Sequence, residues 1–475
     1  MHNGTRDGCA LGGLMDGYSD FLARKLPRAQ ATGIDVADEA LPQSLFDFQS
    51  HCTQFALHQG RAGIYLDTGL GKSAIELAFA EIARKESDGR ALLLCPLAVA
   101  PQFVRESVKL GIGDAFVIRD QSEARDGINI INYDRLDHID ASRWDCVVLD
   151  EASILKSFTG KTTRALIESF AGARFRLAAT ATPAPNDHME LGQQSEYLGI
   201  MPSNEMLMRW FIADQTSMGK YRLKQHGERD FWEWMASWSR MAQSPEDLGF
   251  DGSRFVLPKL RTHLHRTYAD VKPLAGSLFA TDTSATGVHA IKRQTTEARA
   301  ALIADLVARE PNESWVIWCD TDYEADALTK VIGDAVEVRG SQSIDAKESA
   351  LERFATGAAK RIITKPSICG FGLNWQHASR VAFVGRSFSY ESFYQAVRRC
   401  WRFGQTQDVD VHIAVAEGED QIAQVLDRKG EDHASMKRQM ALAMKRSRGI
   451  ESSALIAYKP EHNGRLPSWL MQSAA

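Results

Sequence analysis

The sequence predicts an α/β fold of two parallel-sheet lobes separated by a short helical segment. Three observations carry this reading. From about residue 41 to 192, short apolar runs alternate with helical patterns; the same alternation resumes after Leu257-Pro258; and the stretch between them is rich in Met and Trp but poor in strand signals. At 475 residues the chain has room for two to four domains. Its 44% hydrophobic and 25% charged residues are the mix of a soluble globular protein.

The first lobe, 41–192, offers strands at Ala62–Leu66, Ala91–Cys95, Ile128–Asn132, Cys146–Leu149 and Phe175–Ala179. A helical stretch such as Ser73–Lys85 falls between two of them. Residues 193–257 read as a helical insert, in which Phe231, Trp234, Met235, Trp238 and Met241 share one helix face. Packing explains that stripe, and contact of Trp232 with a base or a partner stays open. The second lobe, 258–430, offers strands at Leu260–Tyr268, Trp315–Cys319, Ala335–Val338, Arg361–Thr364, Arg380–Val384 and Val409–Val415. Residues 1–40 read as a partly disordered N-terminal extension, with Met1 and Met15 as alternative starts. Residues 431–475 read as a basic helical tail with Lys437, Arg438, Lys445, Arg446 and Arg448, either a solvated face or a DNA-facing one.

Composition also excludes. With 56 Lys+Arg against 61 Asp+Glu the net charge is −5, so the chain is not basic overall, though a local basic track is enough to hold a phosphate backbone. No run of about 18 apolar residues suggests a membrane span, and no secretory signal is evident. Cys9, Cys52, Cys95, Cys146, Cys319, Cys369 and Cys400 are scattered without metal-ligand spacing. They read as small buried hydrophobes in a reducing cytoplasm rather than as a zinc or disulfide framework.

The strongest local signal is Leu66-Asp67-Thr68-Gly69-Leu70-Gly71-Lys72-Ser73, which follows a strand and opens a helix. Gly69 and Gly71 let backbone N–H groups close on phosphate oxygens, and the helix N-terminus adds favourable partial charge. Lys72 is expected to reach the β- and γ-phosphates of ATP, and the Ser73 hydroxyl to ligate Mg2+. Leu66 stands where the first Gly of the longer phosphate-loop pattern would be. A second site follows the apolar strand Cys146-Val147-Val148-Leu149, which ends in Asp150-Glu151-Ala152-Ser153. Carboxylates at the C-terminal edge of a parallel strand sit where α/β sheets bind ligands. Asp150 is expected to hold the metal, and Glu151 to orient and deprotonate the attacking water.

These motifs together resemble helicase superfamily two, and within it the Swi/Snf-type branch in its compact phage and prophage, DEAD/DEAH-like versions. The resemblance spans about 45–430 and implies two tandem RecA-like lobes with ATP between them and DNA across the top. It makes Gln49, in Phe48-Gln49, the adenine reader. Cys95-Pro96-Leu97 with Pro101-Gln102-Phe103 is similar to the first DNA-contacting motif, and Asn132-Tyr133-Asp134 to a further one. Thr180-Ala181-Thr182-Pro183, with Asn186 beyond, looks like the motif that couples hydrolysis to movement. Gly370-Phe371-Gly372-Leu373-Asn374 is similar to the Gly-Leu-Asn motif, and Gln395-Ala396-Val397-Arg398-Arg399-Cys400-Trp401-Arg402-Phe403-Gly404-Gln405 to the last one. By that match Arg399 and Arg402 are arginine fingers, and Thr180, Thr182, Gly372 and Gln395 are coupling residues.

In the same reading Pro96, Gln102, Lys365 and Asn374 grip DNA phosphates without regard to sequence. The expected function is a DNA-dependent ATPase acting as a helicase or as a duplex translocase in a bacterial or phage-infected cytoplasm, with replication or recombination proteins as further partners. A non-hydrolysing DNA-binding accessory module and an RNA-directed helicase are the competing classes. Two departures stand out: Asp-Glu-Ala-Ser lacks the His or Asp common at its fourth position, and Arg398 replaces a residue that is often small. The short insert is unlike the long helical protrusions of chromatin remodellers, so histones are not expected as substrates.

Overall fold

The computed structural model describes residues 28–213, 221–267, 292–369, 374–385, 387, 389–416 and 420–447. The predicted Gly372 lies outside them, as do most of the expected N-terminal extension and Arg448 of the tail.

The first sheet comprises β1 (Arg61–Leu66), β2 (Arg90–Cys95), β3 (Ala115–Val117), β4 (Gly127–Asn132), β5 (Cys146–Asp150), β6 (Phe175–Ala179) and β9 (Ser239–Ala242). Its order is β3-β4-β2-β5-β6-β1-β9, and every pairing is parallel. The central strands are buried along nearly their whole length, as expected for a sheet covered on both faces. Two short strands, β7 (Phe211–Ala213) and β8 (Tyr221–Leu223), form a separate antiparallel ladder.

The second sheet comprises β10 (Leu260–Thr267), β11 (Trp315–Trp318), β12 (Val336–Val338), β13 (Arg361–Thr364), β14 (Arg380–Phe383) and β15 (Val409–Ala416). Its order is β10-β15-β14-β11-β13-β12, again all parallel. Alternation along β11 divides its side chains between two cores: Val316 and Trp318 join one cluster, Trp315 and Ile317 the other.

Register places the chemistry. Leu66 pairs with Ala242, Leu94 with Leu149, Cys95 with Asn132 and Asp150 with Ala179. The residues that follow β1, β2, β4, β5 and β6 therefore emerge at one edge of the first sheet, the edge where such sheets bind ligands.

Two expectations are corrected. Residues 193–257 are not a separate insert, because β9 within them pairs with β1 and their apolar side chains join the first-lobe core. The helix Glu228–Trp238 buries Trp232 as deeply as the predicted stripe, with His188 edge-on to its ring at 5.4 Å, so Trp232 is core and not a base contact. Four residues, Ser-Arg-Met-Ala, are too few to show a strand period, which hid β9. Nor does the basic helical tail begin at 431 with a solvated or DNA-facing surface throughout. One long helix, Asp420–Ser447, lies across the first lobe, and Met436, Met440, Ala443 and Met444 enter that lobe's core. Lys437 on this helix is buried rather than solvated.

Candidate nucleotide site between the lobes

At the end of β1 the chain turns through Asp67–Gly71 into the helix Lys72–Lys85. Gly69 has φ +95° and Gly71 φ +74°, a backbone region that L side chains rarely adopt. Space is restricted as well: a Cβ on Gly69 would lie 2.9 Å from the Phe403 backbone N, and one on Gly71 2.2 Å from Gln49 Nε2. The loop is thus shaped by lobe two on one side and by Gln49 on the other. Gln49 Nε2 donates to the Leu70 carbonyl at 3.0 Å, and its Oε1 accepts from Phe46 N at 3.0 Å. The residue expected to read adenine is occupied in bracing the phosphate loop. Lys72 Nζ donates to the Leu66 carbonyl at 3.0 Å and lies folded over its own loop.

On the adjacent strand end, Asp150 and Glu151 are held in a strained turn. Glu151 has φ 54°, the only positive φ of a non-glycine residue among those described. Tyr133 donates its hydroxyl to the Asp150 carbonyl at 2.6 Å, so the motif expected to touch DNA pins the acidic strand end instead. The Glu151 carboxylate accepts from Thr180 Oγ1 at 3.2 Å and from Gln395 Nε2 at 3.4 Å. One predicted coupling residue from each lobe therefore meets on the predicted base. Thr182 stays behind this contact, its backbone N–H donating to Thr180 Oγ1 at 3.1 Å. Ser153 turns back to the Glu151 carbonyl at 3.4 Å.

The electrostatics are those of buried carboxylates facing buried cations. Burial, and then the charge of Glu151, push the Asp150 carboxyl up to about 7 against the opposing pull of Lys72. Burial also raises Glu151, with Lys72 and Arg399 opposing. A third carboxylate was not legible in the sequence. Glu76, fully buried on the loop helix, is pushed well above the usual range by burial and by Asp150, and its oxygens have no hydrogen-bond partner among the described residues. Its position one turn beyond Ser73 on the same helix was the available signal.

From lobe two, Arg399 and Arg402 complete the cleft, whose walls include Gly69, Lys72, Ser73, Asp150 and Glu151. Arg399 is buried, and Arg402 is pushed down to about 10 by burial and by the neighbouring Arg399 and Arg398. Cations in that condition gain by meeting an anion.

Gln102 lines this same cleft, so its predicted place on an outer DNA track is revised to the nucleotide side. Pro96 sits at the start of the short turn Leu97–Val99 beside it. Lys365 and Asn374 are not brought to this cleft. Lys365 follows β13 and pairs with Asp322 at 2.8 Å, and the side chain of exposed Asn374 accepts from Gln376 N at 3.4 Å.

The donor set fits Mg-ATP. Among the described residues no group of three or more His, Cys, Asp and Glu is placed to hold a metal by itself. Mg2+ commonly takes one or two protein oxygens and completes its shell with phosphates and water. Ser73 and Asp150 supply such oxygens, and the surplus of buried carboxylate charge is what a divalent cation relieves.

Known proteins bear on this geometry. Residues 298–404 match the helicase conserved C-terminal domain, a span that includes Gln395, Arg399 and Arg402. SWI/SNF-related matrix-associated actin-dependent regulator of chromatin subfamily A-like protein 1 of Xenopus tropicalis is 21% identical over 434 residues, 85% of this chain and 45% of its own length. Its Xenopus laevis counterpart is 22% identical over 433 residues, 84% of this chain and 44% of its own. The chain thus spans under half the length of these curated relatives. The SWI2/SNF2 ATPase core of Sulfolobus solfataricus, solved in complex with dsDNA, aligns over 88% of this chain and 98% of that one, at 18% identity and a TM-score of 0.41. The second lobe thus carries a helicase conserved C-terminal domain, and over most of its length the chain is similar to Swi/Snf-related proteins.

Proposed function

We propose that this protein is a DNA-stimulated ATP hydrolase that converts closure of its two lobes into movement along DNA. The observation that carries the proposal is the Glu151 carboxylate, which is hydrogen-bonded from lobe one by Thr180 and from lobe two by Gln395 beside the arginine pair. A base held from both sides is aligned only when the lobes are together, so hydrolysis and lobe motion are linked through one carboxylate.

Backbone N–H groups of the loop and the N-terminus of the helix Lys72–Lys85 would cradle the phosphates, with Lys72 released from the Leu66 carbonyl to reach them. Ser73 and Asp150 would hold Mg2+, which supplies charge neutralisation at the β- and γ-phosphates when bound. Glu151 orients the attacking water and accepts its proton; burial makes it a stronger base than a solvated glutamate. Arg399 and Arg402 stabilise the charge that develops as the terminal phosphoryl group leaves.

DNA contacts are expected at the C-terminal edge of the second sheet. There Lys365, Ser367, Ser387, Ser389 and Ser392 line a hollow in which hydroxyls and one ammonium can meet successive backbone phosphates. Double-stranded DNA is the track in this reading. A compact phage-type setting and a reducing cytoplasm belong to the same proposal, the second in keeping with six described cysteines that are all buried free thiols.

ATP turnover measured with and without duplex DNA tests the reading: stimulation supports it, and absence of turnover in both sinks it. Glu151→Gln should lower kcat by about 10²–10⁴-fold while nucleotide still binds. Turnover at the unchanged rate would remove Glu151 from the role of base. Triplex displacement without strand displacement would define a duplex translocase; strand displacement would define a helicase.

A further inference from the structure

The segment that carries Arg399 and Arg402 contains a third arginine, which the hydrolysis reading leaves unused. Arg398 follows directly on the helix Tyr390–Val397 and is buried. Its guanidinium lies 2.6 Å from Asp67 Oδ2 and donates to the Thr68 carbonyl at 3.4 Å. It sits over the rings of Trp401 and Tyr394, 4.8 and 5.6 Å from their centroids. Lys437, on the helix Asp420–Ser447, reaches the same carboxylate oxygen at 3.4 Å and the Tyr394 hydroxyl at 3.2 Å. Tyr394 itself donates to Asp67 Oδ1.

We propose that Arg398 and Lys437 are positioning residues for the phosphate loop: from lobe two and from the C-terminal helix they grip Asp67, so the loop takes its nucleotide-binding shape only when both are docked. The proposal rests on the hydrolase reading of the same cleft. Asp67 is the residue at which β1 becomes the loop, and its own N–H donates to the Ala242 carbonyl at 2.9 Å. Its carboxylate is saturated: Oδ1 accepts from Thr68 N at 2.7 Å and from Tyr394, while Oδ2 faces Arg398 and Lys437. Only one of these four partners belongs to the loop.

Two residues further on, Gly69 lies tight against the Phe403 backbone. Lobe two therefore holds both ends of the short stretch that must present its N–H groups to phosphate. Burial alone would raise the Asp67 carboxyl, yet Arg398 and Lys437 hold it far below the usual range, which marks the cluster as charged. Withdrawing lobe two would strip Asp67 of Arg398 and Tyr394 together. A carboxylate left half-paired has reason to turn to water and to draw Thr68 and Gly69 with it.

The test uses the full chain and the variants Arg398→Met, Arg398→Lys and Lys437→Met. Arg398→Met should raise both the KM for ATP and the Kd for a fluorescent ATP analogue by about tenfold or more, with a much smaller change in kcat. Arg398→Lys should recover most of the affinity, and Lys437→Met should lose less because Arg398 remains. A second readout is independent of turnover. With spin labels at Ser142→Cys and Thr356→Cys in a Cys9→Ser background, Arg398→Met should broaden the inter-lobe distance in nucleotide-free protein. A fall in melting temperature with Kd, KM and inter-lobe distance all unchanged would overturn the proposal. Should Arg398→Met not fold, unaltered Kd and inter-lobe distance in Lys437→Met would overturn it equally. If the unchanged protein bound no ATP analogue, the hydrolase reading would fail, while the distances would still decide whether Arg398 latches the lobes.

Discussion

On the first-lobe side of the cleft, Glu76, Asp150 and Glu151 rise from a helix and a strand end fixed by sheet register. On the second-lobe side, Arg398, Arg399 and Arg402 lie beyond the last turn of the helix Tyr390–Val397, where no strand holds them. Both faces are electrostatically uncomfortable alone: burial drives Asp150 up to about 7 and Arg402 down to about 10. The acidic face is built by backbone pairing and should persist when the lobes part. On the basic face Arg398 is held by contacts made across the gap, while Arg399 Nε donates to the Gln395 carbonyl of its own lobe at 3.2 Å. In the proposed hydrolase the carboxylates would persist when the lobes part, whereas the arginines, and with them the shape of the phosphate loop, would depend on docking.

The most severe way to break this contrast is to remove a guanidinium. Arg402→Ala should lower DNA-stimulated kcat by about 10³-fold or more, the scale of an arginine finger, with much less effect on ATP affinity. Steady-state turnover beside nucleotide binding reads both, and a KM effect alone would make Arg402 a binding residue. Milder damage should follow Gln395→Ala, which removes the cross-lobe hydrogen bond to Glu151. We expect a roughly ten- to hundredfold loss in kcat, concentrated in the DNA-stimulated part. Equal loss with and without DNA would show that Gln395 supports the base without coupling it to the track.

The smallest expected effect lies behind the acidic face. Burial pushes the Glu190 carboxyl up to about 7, although Asn186 donates to it from N at 3.1 Å and from Nδ2 at 2.8 Å. Glu391 adds to the rise and Lys156 opposes it. A carboxyl raised in the folded state favours folding below its ordinary 4.5, and that contribution is lost as pH climbs through about 7. Glu190→Gln should therefore gain a few degrees of melting temperature on the unchanged protein between pH 5 and 8. Parallel melting curves for the two proteins would show that Glu190 is not the titrating group.

Where the sequence was legible, a local pattern sufficed. The turn into Lys72–Ser73 and the apolar strand ending in Asp150–Glu151 each declare themselves within about ten residues, and the strands that lead into them are continuous apolar runs. What stayed hidden was set by distant partners. Ser239–Ala242 becomes a strand because β1 offers it an edge. Glu76 is chemically significant because the fold brings it near Asp150. Arg398 was visible as an anomaly, but Tyr394 and Asp67, which explain it, stand 327 positions apart. Gln49 and Gln102 matched motifs whose usual partners are ligands, and here their surroundings assign one to the phosphate loop and the other to the nucleotide cleft.

The long C-terminal helix bears on how the chain comes to be folded at all. Met436, Met440, Ala443 and Met444 complete the hydrophobic core that begins at Leu41. During synthesis the first lobe emerges first, yet its core stays open until nearly all of the described chain has left the ribosome. Contacts of such high sequence separation are slow to form and leave apolar surface exposed meanwhile. The second lobe, whose cores draw on residues 300–415, can close before the first is finished. The half of the protein that would bind nucleotide is thus begun first and sealed last.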